Sequence, residues 1–74
     1  MAQIRVGPPL HGKTLADAAL RERYRVNVVL LTRTDAKGET VAVEPTPDRT
    51  MLRSDMLFVA GRRENLNRFE RECG

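Results

Sequence analysis

The stretch that decides the fold is VNVVLL, residues 26–31, a nearly continuous run of β-branched and aliphatic residues with one polar member, Asn27. A run of this length and composition is typical of a strand covered on both faces, so we expect it near the centre of a sheet. The segment DAKG, residues 35–38, has turn chemistry, and residues 39–43 alternate again between apolar and polar side chains. The two strands are therefore predicted to form a hairpin.

On the N-terminal side of this run, the sequence predicts one strand and one helix. Ile4 and Val6 share one face of residues 2–6, which is the two-residue period of a half-buried strand. The prolines that follow cannot donate to a sheet, so the strand ends there. Thr14 begins a capping box, and apolar residues then recur at helical spacing. We expect a helix over about 14–24, with a thin, alanine-rich face that packs close to the sheet.

On the C-terminal side, the sequence predicts a stiff connection, a strand and a second helix. PTPD, residues 45–48, is typical of an extended connector. The apolar run 56–60 has strand length, and residues 64–72 are predicted to form a short amphipathic helix. The order strand, helix, strand, strand, strand, helix predicts one α+β domain over residues 1–74. We expect one four-stranded, mainly antiparallel sheet with two helices packed on it.

The length of the chain limits how it can be stabilised. A domain of 74 residues buries only about 60–65% of the surface that its unfolded chain exposes, so its core is marginal. An intrachain disulfide is excluded because Cys73 is the only cysteine. One histidine and no ligand cluster at metal spacing give no reason to expect a metal or a cofactor. Self-association is the remaining source of extra stability, so we expect the chain to associate with itself.

The net charge of +3 and the calculated pI of about 9.8 raise the possibility of a nucleic-acid partner. Arginines alternate with acids, however, in RER at 21–23 and in RFERE at 68–72. Mixed signs favour a solvated face, because nucleic-acid footprints are normally patches of one sign. No apolar run approaches the ~20 residues of a membrane span, and no signal peptide is visible. One unpaired cysteine fits a reducing cytosol, so we expect a cytoplasmic location.

One motif matches a nucleotide-binding pattern and is nevertheless rejected. GPPLHGKT, residues 7–14, fits the phosphate-loop pattern G-x-x-x-x-G-K-[ST] and lies between a predicted strand and a predicted helix. Such a loop points backbone N–H groups at phosphates, and Pro8 and Pro9 have none. A metal-holding aspartate at the end of a neighbouring strand is also missing, and a hairpin does not fit the parallel sheet of such enzymes. We interpret GKT as a helix start.

Three segments, taken in order, resemble the TrkA C-terminal domain family, also called the RCK C-terminal domain. LHGKTL, residues 10–15, is similar to the family's opening l-x-G-k-t-L, and LRERYRVNVV, residues 20–29, is similar to its l-R-x-r-y-g-v-n-v-v. The third segment consists of PTPD followed by Leu52, Asp55, Leu57, Val59 and Gly61. Two departures stand out, because Arg25 and Ser54 occupy positions where the family usually has glycine.

The resemblance implies a dimer with a ligand site between its two domains. Such domains belong to potassium channel and transporter gating subunits, to cation/proton antiporters and to some anion transporters. The resemblance therefore implies a partner in the cell membrane and a location at its inner face. Some members bind cyclic di-AMP in the dimer cleft. The ligand-binding residues that we predict on this basis are Arg21, Asn27, Val26, Val28, Pro45 and Pro47.

Each of these residues also has a purely structural interpretation. Arg21 matches the family arginine that contacts ligand phosphate, but it could instead pair with Asp17, four residues back on one helix. Asn27 could bond a nucleobase or sugar, or satisfy nearby backbone. The two prolines form either an apolar wall against a ligand base or a rigid connector. Val26 and Val28 line either a dimer interface or the core.

Four functions follow as hypotheses. The first is a dimeric sensory domain whose ligand shifts the conformation of an attached transport protein. The second is a structural dimerisation module without a ligand. The third is a small nucleic-acid-binding domain, which the low aromatic content disfavours because few rings are left for base stacking. An enzyme is the least favoured, and no catalytic residue is predicted, because one histidine suggests no nucleophile–base pair.

Overall fold

The computed structural model describes residues 1–74 and contains one four-stranded sheet. The strands are β1 (Ala2–Arg5), β2 (Asn27–Thr34), β3 (Thr40–Val43) and β4 (Met56–Ala60). Their order is β1-β4-β2-β3, and every neighbouring pair is antiparallel. The helical segments are a 3-10 turn (Pro8–Leu10), α1 (Leu15–Ala18), α2 (Leu20–Tyr24) and α3 (Arg63–Cys73). The α+β class, the four-stranded sheet and the two helical regions packed on it are confirmed.

The predicted hairpin is formed by β2 and β3. Leu31 pairs with Val43 at one end of the ladder, and Thr34 pairs with Thr40 at the other. The carboxylate of Asp35 accepts hydrogen bonds of 2.9 Å from two backbone N–H groups of the turn, those of residues 37 and 39. This local bonding closes the turn and sets the register of the hairpin.

The prediction that the run 26–31 is covered on both faces is wrong for the single chain. β2 does lie inside the sheet, but its burial alternates only in part: Leu31 is fully buried, whereas Val29 is 50% exposed. The register against β4 shifts between Val28 and Leu30, so a bulge interrupts the alternation there. Buried Leu31 opposes buried Leu57, so the core face is fixed, and the helices cover that face alone.

The single helix predicted over about 14–24 is interrupted at Ala19, which has left-handed backbone angles (φ 48°, ψ 47°). The hydroxyl of Thr14 accepts from the backbone N–H of Asp17 at 3.1 Å, so the predicted N-terminal cap is present. In an unbroken helix, Ala18 and Leu20 would point in nearly opposite directions, about 160° apart. With the break, both are buried, at 0% and 5% exposure. Tertiary burial therefore overrides local helical continuity.

Two backbone positions have special requirements, one for a left-handed conformation and one for a close approach between two segments. α2 ends at Tyr24, and the capping residue Arg25 has φ 60° where the family usually has glycine; this conformation costs a non-glycine residue about 1–2 kcal/mol. Gly7, at the exit of β1, donates its N–H to the carbonyl of Cys73 at 2.8 Å. A Cβ at Gly7 would lie 2.2 Å from that oxygen, so only glycine permits this approach of the chain to α3.

α3 begins at Arg63 and ends at Cys73, one residue beyond the predicted range at each end. It buries Phe69 and Cys73 and half-buries Leu66, as the predicted amphipathic spacing requires. These side chains join the core formed by β1, β2, β4 and the N-terminal helical segments. No helix in the structure combines the length and the apolar character needed to cross a membrane.

Candidate functional site

All six residues predicted to bind a ligand line one surface pocket of about 290 Å³. The pocket lies between the N-terminal helical segments, the start of β2 and the segment that follows β3. The remaining lining residues are Leu15, Ala16, Leu20 and Glu22. Half of the ten lining residues are hydrophobic, so the site is an apolar cleft with a few polar side chains, the usual composition of a small-molecule site.

The polar centre of the pocket is a hydrogen bond between Arg21 and Asn27. Arg21 Nε donates to Asn27 Oδ1 at 2.8 Å, which joins α2 to the first residue of β2. The alternative pairing of Arg21 with Asp17 is wrong, because no ion pair links these two side chains. Both partners are exposed. The other guanidinium nitrogens of Arg21 are therefore accessible to a ligand that carries oxygen acceptors.

Asn27 receives this bond through its amide oxygen, and its amide nitrogen makes no hydrogen bond within the chain. The alternative that Asn27 satisfies local backbone groups is therefore not what the structure has. The bond to Arg21 also assigns the orientation of the amide, because only the oxygen can accept from Nε. The Asn27 amide nitrogen thus remains as a donor at the edge of the pocket.

The two valines of the site differ in depth. Val26 is 1% exposed and belongs to the core, so it supplies the floor of the pocket. Val28 is half-buried and packs against the edge of the core. A Cβ at Gly61 would lie 3.0 Å from Val26 Cγ1, so the floor rests against the chain where β4 ends. Val26 is thus a core residue that also lines the pocket.

The prolines of the pocket belong to a segment that we call the proline loop, residues 44–55. It runs beside the start of α1: the N–H of Ala16 donates to the carbonyl of Pro47 at 2.9 Å. Pro45 and Pro47 line the pocket and lie in the connection between β3 and β4. Within the loop, Thr46 Oγ1 donates to Asp48 Oδ1 at 2.7 Å, and this bond lowers the pKa of Asp48.

A second arginine pair lies at the other end of β2, outside the pocket. Arg33 contacts both carboxylate oxygens of Asp55, each at 2.8 Å. The Asp55 side chain is fully buried and that of Arg33 is 25% exposed. The hydrogen bond to Asp55 raises the pKa of Arg33 against the opposing effect of burial. Every buried side-chain nitrogen and oxygen in the structure has a hydrogen-bond partner.

Sequence reasoning missed four lining residues. Leu15 and Ala16 begin a helix, and nothing local indicates that the proline loop will lie beside them. Leu20 and Glu22 follow the break at Ala19, which changes the direction in which their side chains point. A regular-helix reading of residues 14–24 would have assigned their faces wrongly. The positive φ at Ala19 lies between the two pairs of lining residues, and sequence periodicity gives no sign of it.

The rejected phosphate-loop motif has its backbone donors already occupied. Gly7 donates to Cys73, His11 donates to Pro8 and Gly12 donates to Met51, all within the chain. Pro8 and Pro9 form part of a 3-10 turn and have no N–H to offer. The loop therefore lacks the free, converging N–H groups that hold a phosphate. His11 Nε2 lies 3.2 Å from the carbonyl of Val6, which ties its ring to the exit of β1.

Cys73 takes part in a hydrogen-bonded cluster between α2 and α3. Its thiol donates to the hydroxyl of Tyr24 at 3.3 Å, and that hydroxyl donates to Glu72 Oε1 at 3.0 Å. The bond with Cys73, burial and the bond with Glu72, in that order, raise the pKa of Tyr24 to about 12. Arg68 also lies over the Tyr24 ring, 4.9 Å from its centroid. This cluster joins two helices, and no group of three metal-ligating side chains occurs anywhere in the structure.

Comparison with known proteins matches the sequence of this chain to a family model and to a curated relative. The family model of the TrkA-C domain matches residues 1–74. A curated relative, the Ktr system potassium uptake protein C of Bacillus subtilis (strain 168), is 31% identical over 71 residues. The match covers 96% of this chain and 30% of that protein, so the chain corresponds to under a third of the length of its relative.

Two solved structures share the fold. One is the RCK C domain of the potassium transport protein KtrA in complex with cyclic diadenosine monophosphate; its TM-score is 0.80 and its identity 24%. That match covers 96% of this chain and 79% of the other. The second is the RCK domain of GsuK, with a TM-score of 0.74 and 20% identity, covering 95% of this chain and 15% of the other.

Proposed function

The chain belongs to the TrkA-C domain family, and from that premise we propose that it is a ligand-sensing regulatory domain of a bacterial potassium transport system. Two copies bind one cyclic di-AMP molecule between them. The observation that carries the proposal is the exposed Arg21–Asn27 pair, set in an apolar cleft with Pro45 and Pro47. A phosphate and a base require those two kinds of surface, side by side.

The pocket offers each part of a nucleotide a matching group. The guanidinium of Arg21 has its Nε bound to Asn27, which fixes its plane and leaves its terminal nitrogens for a phosphate. The half-buried Val28 and the two prolines supply an apolar surface for a base. The unbonded amide nitrogen of Asn27 can donate to a ring nitrogen or a sugar oxygen.

The size of the pocket supports a site that two chains share. About 290 Å³ is just below the range of roughly 300–1,000 Å³ for ligand cavities, so one pocket suits half of a cyclic dinucleotide. Val29 and Leu30, next to the pocket residues of β2, are 50% and 37% exposed. A second copy would cover these side chains, which the single chain leaves in water.

In this proposal the domain acts on a membrane partner by differential binding. The ligand favours one spacing of the two copies, and that spacing biases the attached transport protein. The named relative is a component of a potassium uptake system, which supports a partner of this kind at the cytoplasmic face of the membrane. The family is a regulatory one rather than a known class of enzyme, so we assign no catalytic role.

A ligand-free dimerisation module is the second candidate, and the exposed Val29 and Leu30 favour it because they call for a partner chain but not for a ligand. Nucleic-acid binding receives no comparable support. Tyr24 and Phe69 are buried and Phe58 is half-buried, so no exposed ring is available for base stacking.

The test is a calorimetric titration of cyclic di-AMP into the domain, after sedimentation has established its oligomeric state. We expect a dimer that binds one ligand per two chains, and Arg21→Ala should weaken binding about tenfold or more, since hydrogen bonds to charged groups contribute about 1.5–3 kcal/mol. Arg71→Ala is the matched control, because Arg71 is exposed on α3 and outside the pocket. A folded dimer that takes up no ligand would favour the dimerisation module, and a monomer would contradict both.

A further inference from the structure

The proline loop is tied to β2 by one arginine. Arg33 Nε and Nη2 donate to the two carboxylate oxygens of Asp55, each at 2.8 Å, and Nη2 also donates to the carbonyl of Thr50 at 3.1 Å. We call Arg33, Asp55 and Thr50 the arginine clasp. A bidentate contact fixes the plane of a guanidinium, so the third bond fixes the Thr50 carbonyl relative to β2.

One side of the clasp is anchored in the core. Asp55 is fully buried and directly precedes β4. Its Oδ2 accepts from the N–H of Leu52 at 2.8 Å, and its carbonyl accepts from the N–H of Val6 at 3.1 Å. The position of Asp55 is thus set by the sheet. Buried Met51 anchors the loop to the N-terminal segment, and the clasp ties the neighbouring exposed residue Thr50 to β2.

From Thr50, a continuous set of backbone bonds leads to the pocket. Thr50 forms a β-bridge with Thr14. The N–H of Leu15 donates to the carbonyl of Arg49 at 3.1 Å, and the N–H of Ala16 donates to that of Pro47 at 2.9 Å. These bonds set the distance between the proline loop and the start of α1 on the other side of the pocket. β2 therefore carries pocket residues at its start and the clasp near its end.

We infer that Arg33 is a positioning residue of the ligand pocket, which holds the proline loop at its binding distance without touching the ligand. This inference rests on the proposed function, because it concerns the same pocket. Arg33 is not among the residues that line the pocket, so any effect of Arg33 on binding is indirect. A loop already held in place spares the cost of ordering it on binding.

The test uses Arg33→Lys rather than a neutral variant. Lysine keeps a positive charge beside the buried Asp55 carboxylate, so the domain should stay folded, but one ammonium cannot reproduce the planar fork and the bond to Thr50 together. Arg49→Lys is the matched control. Arg49 lies in the same loop, but its Nε donates to Glu44 of that loop, so it does not tie the loop to β2.

Two readouts are measured for both variants: the Kd for cyclic di-AMP by calorimetry, and amide hydrogen exchange without ligand. We expect Arg33→Lys to raise Kd about tenfold, the cost of ordering a released loop, and Arg49→Lys to change it by about twofold or less. Exchange should speed up at Leu15 and Ala16, whose N–H groups bond the loop, while the amides shared by β1 and β4 stay protected.

The two readouts separate failure of this inference from failure of the proposed function. If the unaltered protein binds no cyclic di-AMP, the proposed function fails, and the exchange pattern alone decides whether the clasp holds the loop. Faster exchange spread evenly over the sheet would show a purely stabilising role and overturn the inference. An unchanged Kd for Arg33→Lys in a protein that does bind would overturn it as well.

Discussion

Each end of β2 is held by an arginine that bonds a second side chain. The two pairs have the same hydrogen-bond distance but differ in how far they are buried. At the start of the strand, Arg21 bonds Asn27 at 2.8 Å and both residues are exposed. Near its end, Arg33 bonds Asp55 at the same distance, and Asp55 is fully buried. An exposed pair exchanges its partners with water at little cost, whereas a buried carboxylate depends on its partner. The first pair therefore suits ligand exchange, and the second suits a fixed support.

The largest expected effect comes from breaking the buried pair. Arg33→Met should lower the free energy of unfolding by about 3–5 kcal/mol, because it leaves the Asp55 carboxylate buried without its cation. Urea denaturation measures this. Arg53→Met is the control, since Arg53 is exposed and makes no hydrogen bond through its side chain, and it should change stability by about 0.5 kcal/mol or less. Equal losses in the two variants would contradict the assigned role of burial.

A double variant tests whether the cost lies in the unpaired charge. Adding Asp55→Asn to Arg33→Met removes that charge and keeps an oxygen that can accept from the N–H of Leu52. It should recover about half or more of the stability lost in the single variant. The same denaturation series measures the recovery. No recovery would mean that packing around Arg33, not the charge, supports this end of β2.

Arg25 lies just before the start of β2, the end that carries the exposed pair. Replacing it with glycine should stabilise the protein, whereas Arg33→Met should destabilise it. Arg25→Gly relieves a φ of 60° and should raise the free energy of unfolding by about 0.5–1 kcal/mol, less than the full strain because glycine also adds entropy to the unfolded chain. Thermal melting monitors the gain. Arg23→Gly, within α2, provides the contrast and should destabilise by about 1 kcal/mol. A loss in Arg25→Gly would show that its side chain contributes more than its backbone costs.

The smallest expected effect on folding belongs to the exposed pair. Arg21→Ala should change the free energy of unfolding by about 0.5 kcal/mol or less, because both partners are already solvated. Binding of cyclic di-AMP should weaken about tenfold or more in the same protein. Denaturation and calorimetry on one preparation separate the two quantities. A loss of stability comparable to that of Arg33→Met would remove the distinction between the two ends.

The contribution of tertiary structure is clearest in two elements that depart from the regular strand or helix that their local patterns predict. The run 26–31 is an interior strand, as its composition predicts, yet it contains a bulge between Val28 and Leu30, and Val29 and Leu30 are exposed. Residues 15–24 have helical propensity, yet the helix is interrupted at Ala19. Residues on both sides of this interruption are buried. Periodicity describes a regular element, and both departures arise from what the element packs against.

The sequence by itself determined the element order, the hairpin, the amphipathic spacing of α3 and the family. Each of these depends on neighbouring residues or on an ordered set of short motifs. It also supplied the six candidate ligand residues through the resemblance, and the fold brings all six to one pocket. Only the tertiary structure decided that Arg21 pairs with Asn27 rather than with Asp17. It alone decided that Arg33, 22 residues before Asp55, holds the proline loop, because contacts between distant segments depend on how the sheet and loops pack and not on local spacing.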